Sequence, residues 1–150
     1  MKSKAIIFFA TFFLMFQISY AQNIGLQLYS LREQFKTDVP GTLAKIKSWN
    51  ITEIEGGGSY GLPMDEYKKL LAQNNLKMVS VSAEFDQLAT NPQAAIDEAK
   101  SFGVKYIGCF WIPHTGDDGT SELAIKFVVV FNDAGKLIQE NGLILCYHPH

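Results

Sequence analysis

The sequence predicts an α/β fold, and three observations carry that prediction. Short apolar runs of strand length recur five times, each separated from the next by a segment whose apolar residues repeat at helical spacing. The repeating unit is about 25 to 40 residues long, as parallel strands joined by right-handed crossovers require. Polar residues that can do chemistry stand at every strand exit: Tyr29, Ser30 and Arg32, then Glu55, Glu84, His114, and finally His148 and His150. A (β/α)8 TIM barrel distributes function over the loops after its strands, whereas a doubly wound sheet concentrates it at one switch point. No Gly-x-Gly-x-x-Gly opens a helix, and Gly56-Gly57-Gly58 lacks the Lys-Ser/Thr of a phosphate loop. The expected architecture is therefore a partial TIM barrel, four β/α units plus a fifth strand, with the strands in the order 1-2-3-4-5.

Each element has its own signal. Ile24 to Tyr29 alternates apolar and polar residues, as a strand should. Asp38 and Pro40 open a helix with Val39, Leu43, Ile46 and Trp49 on one face. Ile51 to Glu55 is a short strand closed by glycines, and Pro63 starts a helix striped by Met64, Tyr67, Leu70 and Leu71. Leu76 to Phe85 reads as the third strand. Asn91-Pro92 opens a helix whose face, Ala95, Ala99 and Phe102, ends at Gly103. Val104 to Ile112 is the fourth strand. Ser121 caps a long helix with Leu123, Phe127, Val130, Phe131, Ala134, Leu137 and Ile138 on its broad side; Val128-Val129-Val130 and Gly135 are poor helix formers, so burial must hold it. Gly142 stops it, and Leu143 to His148 is the fifth strand. Ile24, Leu26, Leu28, Val79, Val81, Ile107, Ile144 and Leu145 are the expected buried sheet residues, and Phe127, Phe131 and Trp49 are expected in the core.

The composition agrees with one packed domain. Of 150 residues, 47% are hydrophobic and 19% charged, with mean hydropathy +0.04 and formal charge −2. This excludes a disordered chain, a coiled coil, a collagen-like repeat and a disulfide-dense miniprotein, and it supplies no basic excess for nucleic acid. Residues 1–21 read as a secretory signal peptide. Lys2 and Lys4 precede a twelve-residue uncharged run, Ala5 to Phe16, and Ser19 and Ala21 sit at −3 and −1 of a cut before Gln22. The run is shorter than the roughly 20 apolar residues of a membrane span, so no stable anchor is expected. The domain would be residues 22–150, periplasmic or secreted, and loss of Lys2 and Lys4 takes the charge from −2 to −4. Cys109 and Cys146 lie in apolar runs and are expected to be small core residues rather than a bridge.

Several stretches resemble the sugar phosphate isomerase/epimerase family, the xylose-isomerase-like TIM barrels, and its secreted bacterial branch above all. They are Gly25-Leu26-Gln27-Leu28-Tyr29-Ser30-Leu31-Arg32, Ile54-Glu55 before glycines, Ala99 to Gly103 before Val104-Lys105-Tyr106-Ile107, and Gly142-Leu143 before Tyr147-His148-Pro149-His150. The resemblance implies a divalent metal at the carboxyl ends of the strands, holding neighbouring sugar oxygens while carboxylates move a proton through an enediol. It also implies two departures. The family often has a His where Ser82-Ala83-Glu84 stands, and its remaining metal ligands come from strands six to eight. The expectation is a fragment of a longer protein whose unpaired strand edges promote self-association.

The residues themselves give the following candidates. His148 and His150, two apart on a strand, point the same way and suit a divalent Zn, Mn or Co ion; frayed C-terminal histidines are the plainer reading. In many relatives a Glu ligand holds the place of His148, which makes it the better ligand, with His150 also free to hydrogen-bond sugar. Glu55 at its strand exit and Glu84 are candidate proton carriers, against solvated acids; Glu53 reads as a surface acid. Tyr29 and Trp111 could contact a sugar, and so could His114, for which a satisfied loop histidine is the plainer reading. Arg32 suits a carboxylate or phosphate, or caps its loop through Glu33. The expected activity is a metal-assisted sugar isomerase or epimerase acting on a neutral or keto sugar. The alternatives are a lyase or hydrolase of keto sugars on the same barrel, and a non-catalytic carbohydrate-binding remnant.

Overall fold

The structure is a computed structural model that describes residues 24–113 and 121–149. The leader, His114 and His150 lie outside the described residues. Strand β1 (Gly25–Gln27) runs into a 3-10 turn (Leu28–Leu31) and a single-turn helix α1 (Arg32–Phe35). Then come α2 (Val39–Ser48), β2 (Glu53–Glu55), α3 (Met64–Gln73), β3 (Lys77–Ser82), α4 (Phe85–Thr90), α5 (Pro92–Phe102), β4 (Tyr106–Cys109), α6 (Ser121–Glu140) and β5 (Ile144–Tyr147). The strands form one parallel sheet in the order β1-β2-β3-β4-β5, the sequential order expected of a barrel wall.

Local chemistry sets the element ends. Asp38 caps α2 by accepting a 2.8 Å bond from the Gly41 amide, with Pro40 in the first turn where no donor is missed. Gly103 and Gly142 end α5 and α6 at φ +66° and +76°, the left-handed conformation that favours glycine. The core lies between the sheet and its helices. Ile54, Ile107, Leu43, Ile46, Ile96 and Ala99 are wholly buried there. Leu145 reaches Gly135, and the Tyr147 ring meets Phe131 at 5.6 Å between centroids, so both face α6. Alternation then turns Ile144 and Cys146 to the helix-free face.

That geometry corrects several expectations. Leu28, Val81 and Ile107 are buried and Leu26, Val79 and Leu145 partly so, but Ile24 is 73% and Ile144 42% exposed. Ile24 precedes an edge strand, and Ile144 lies on the face no helix covers. Trp49 is exposed because it is the C-cap residue of α2, beyond the buried stripe, with Lys45 over its ring. Phe127 and Phe131 do pack against the core. Cys109 is buried, whereas Cys146 is exposed; both are free thiols. Phe85 starts α4, a helix the apolar run had hidden inside the third strand. There Phe85 makes edge contacts with Phe127 and Phe131 of α6.

Candidate functional site

Toward the carboxyl ends of the strands the helix-free face carries small and polar side chains, after a row that includes Tyr106 and Ile144. Register sets Gln27 beside Glu55, Glu55 beside Ser80, and Ser82, Gly108 and Cys146 in one row. Barrel interiors usually carry bulky branched residues, so this row leaves unusual room. Glu55 is half-buried, and its Oε2 lies 3.5 Å from the Ser80 hydroxyl, at the outer limit of a hydrogen bond.

Phe110, just past β4, organises the space. Its ring lies directly on Gly108 and against Gly56, where a Cβ at residue 108 would collide with it. The same ring meets His148 edge-on, 5.9 Å between centroids. It thereby lines two adjoining open clefts, called chambers below. One, about 480 Å³, is lined by Glu55, Gly108, Cys146, Tyr147 and His148. The other, about 610 Å³, is lined by Gln27, Tyr29, Arg32, Gly56 to Gly58, Tyr60, Ser82, Ala83, Glu84 and Trp111.

The second chamber is shaped by two tyrosines. Arg32 donates to the Tyr29 carbonyl at 3.1 Å and stacks 4.4 Å from its ring centroid. Its contact with Glu33 is long, 3.9 Å, because Lys36 holds that carboxylate at 2.8 and 2.9 Å and lowers its pKa. Arg32 thus braces its loop through Tyr29 more than through Glu33. Tyr60 stacks parallel on Phe35 at 4.1 Å, and burial pushes its phenol up to about 12, so it stays protonated. Behind it, burial raises the Tyr67 hydroxyl as well.

The structure therefore brings Glu55 and His148 together, and separately Tyr29, Arg32, Glu84 and Trp111. Glu84 lines the second cleft, Glu55 and His148 the first. Among the described residues no three His, Cys, Asp or Glu side chains gather closely enough to hold a metal ion, so this set does not by itself fit a divalent metal. His150, the expected second imidazole, lies outside the described residues, as does His114. Phe110, Tyr60 and Gly108 were absent from the candidates read from sequence. Phe110 sits in an apolar run that reads as strand, and the only hint at Tyr60 is its place between Ser59 and Gly61 in a turn-rich stretch.

No protein-family model matches the chain, and no curated protein matches it closely enough to be a relative. Solved structures do match. A sugar phosphate isomerase/epimerase from Parabacteroides distasonis is 26% identical with a TM-score of 0.69, over 87% of this chain and 55% of its own. A second one from the same organism is 21% identical with a TM-score of 0.64, over 88% and 53%. The chain has the fold of part of a xylose-isomerase-like TIM barrel. A xylose isomerase-like TIM barrel protein from Mycobacterium smegmatis in complex with magnesium agrees, at 14% identity and a TM-score of 0.64, over 85% and 55%. This partial barrel spans about half the length of the solved structures it matches. Its site residues lie at the carboxyl ends of the strands, where barrels of this kind carry their chemistry.

Proposed function

We propose that this partial barrel belongs to a sugar isomerase or epimerase that moves a proton beside a carbonyl. One observation carries the reading: Glu55 and His148, from the exits of β2 and β5, line the same chamber of about 480 Å³. With Oε2 beside the Ser80 hydroxyl, the other oxygen of Glu55 takes the proton from the carbon next to the sugar carbonyl. Electrons shift onto the carbonyl oxygen to give an enediolate, which a donor on His148 stabilises. Return of the proton to the neighbouring carbon, with the hydroxyl proton passing from one oxygen to the other by way of His148, isomerises the sugar; delivery of a proton to the opposite face of the same carbon, which calls for a second donor on that side, epimerises it.

The metal-assisted form of this reading rests on the family resemblance and on His148 with His150. The N-terminal pattern supports export, which favours neutral or keto sugars over phosphorylated ones. The test is proton exchange. In D2O, aldoses and ketoses incubated with the protein should gain deuterium beside the carbonyl, read by NMR. Glu55→Gln should slow that exchange by about 100-fold or more. Undiminished exchange in Glu55→Gln would remove Glu55 from the reaction.

A further inference from the structure

The proton-transfer reading uses one chamber and leaves the larger one without a role. That second chamber is built with strain. Tyr60 adopts φ +53°, a conformation bulky side chains take only under constraint, and the parallel stack on Phe35 supplies the constraint. Its hydroxyl lies against Gly57, at φ +74°, where a Cβ would occupy the hydroxyl's place. Gly56 to Gly58 leave part of the lining bare of side chains. Tyr29 and Trp111, 65% and 49% exposed, offer aromatic faces from the exits of β1 and β4. Arg32 and Glu84 give one charge of each sign, so the lining selects neither an anion nor a cation. Hydroxyl donors, aromatic faces and balanced charge suit a neutral polyhydroxylated ring. Each chamber alone is within the roughly 300 to 1,000 Å³ that a ligand site occupies.

We infer that the substrate is a disaccharide, with its reacting sugar in the Glu55–His148 chamber and its second, neutral ring held by Tyr29, Tyr60 and Trp111. Phe110, common to both chambers, lies beside the linkage. The inference rests on the proposed function for which chamber reacts.

The experiment uses Trp111 as its own reporter. Trp49 is the other tryptophan, at the end of α2 and in the lining of neither chamber, so Trp49→Phe isolates the Trp111 emission. Glucose, cellobiose, maltose and lactose, all with a free carbonyl form, are titrated into the full chain carrying Trp49→Phe. At least one disaccharide should shift the emission and bind about tenfold tighter than glucose. Adding Tyr29→Ala should cost that disaccharide several times more affinity than it costs glucose. Glucose binding as tightly as every disaccharide, equal losses in Tyr29→Ala, or no emission change with any sugar would each overturn the two-ring substrate. Deuterium exchange into glucose in the same samples reports separately on the proton-transfer reading, which a one-ring result leaves standing.

Discussion

Along β1 to β4 the helix side of the sheet is closed, with Ile54, Ile107, Leu43, Ile46 and Ile96 wholly buried. At β5 and α6, residues just as apolar stay open: Ile144 and Tyr147 are nearly half exposed, and Ile125, Val128 and Val129 more than half. A groove of about 450 Å³ beside β5, lined by Phe131, Gly135, Leu143 and Leu145 among others, marks the same region. The two regions share composition and periodicity and differ in their neighbours. β2 and β3 each pair on both sides, while among the described residues β5 pairs only with β4. An amphipathic pattern identifies which face is apolar, and the adjoining elements decide whether water leaves it.

The sharpest way to break the comparison is to truncate one residue from each region. Ile54→Ala should cost about 2 to 5 kcal/mol of stability, because a cavity opens among residues that cannot collapse into it. Val128→Ala should change stability by less than about 0.5 kcal/mol. Urea denaturation of both variants checks this, and equal costs would erase the distinction.

A smaller effect comes from Glu98 in α5. Burial raises its pKa above the ordinary 4.5, and Lys68, whose ammonium bonds the Ser101 carbonyl at 2.7 Å, offsets this only in part. A carboxyl raised by folding binds its proton more tightly in the native state, so stability falls as pH rises from about 4.5 through the raised value. Glu98→Gln should therefore melt slightly higher than the parent at pH 7, with the gain gone below pH 4.5. A pH-independent difference in melting temperature would refute the burial cost.

The smallest effect touches no stability at all. Cys109 is buried, and burial raises its thiol, which sits 3.4 Å from the Trp111 carbonyl; Cys146 is exposed. Iodoacetamide should label Cys146 of the native protein and spare Cys109, read by peptide mass. Equal labelling would mean that the β4 region opens as readily as β5.

The sheet order and most helices were legible because period and length separate strands from helices over long segments. Phe85 to Thr90 was not, since a six-residue helix entered directly from a strand shows no helical period of its own. Ile144 was misplaced for a different reason: parallel strands bury both faces only when both are covered. Glu55 and His148 were legible as strand-exit residues, but their common cleft was not, since β3 and β4 lie between their strands and only the curvature of the sheet brings the two exits to one space. The place of the Phe110 ring, which lines both clefts, was not legible, since nothing in the run Cys109-Phe110-Trp111 specifies it.

The contact between Phe110 and Gly108 has a consequence for how this protein changes over generations. The ring lies where the first carbon of any other side chain at residue 108 would stand. Glycine and alanine codons differ by one base, so a single point mutation would force the Phe110 ring to move and would reshape both clefts that it lines. The shape of this end of the sheet is then an easily revised trait of the scaffold, while Glu55 and His148 keep their places at the strand exits.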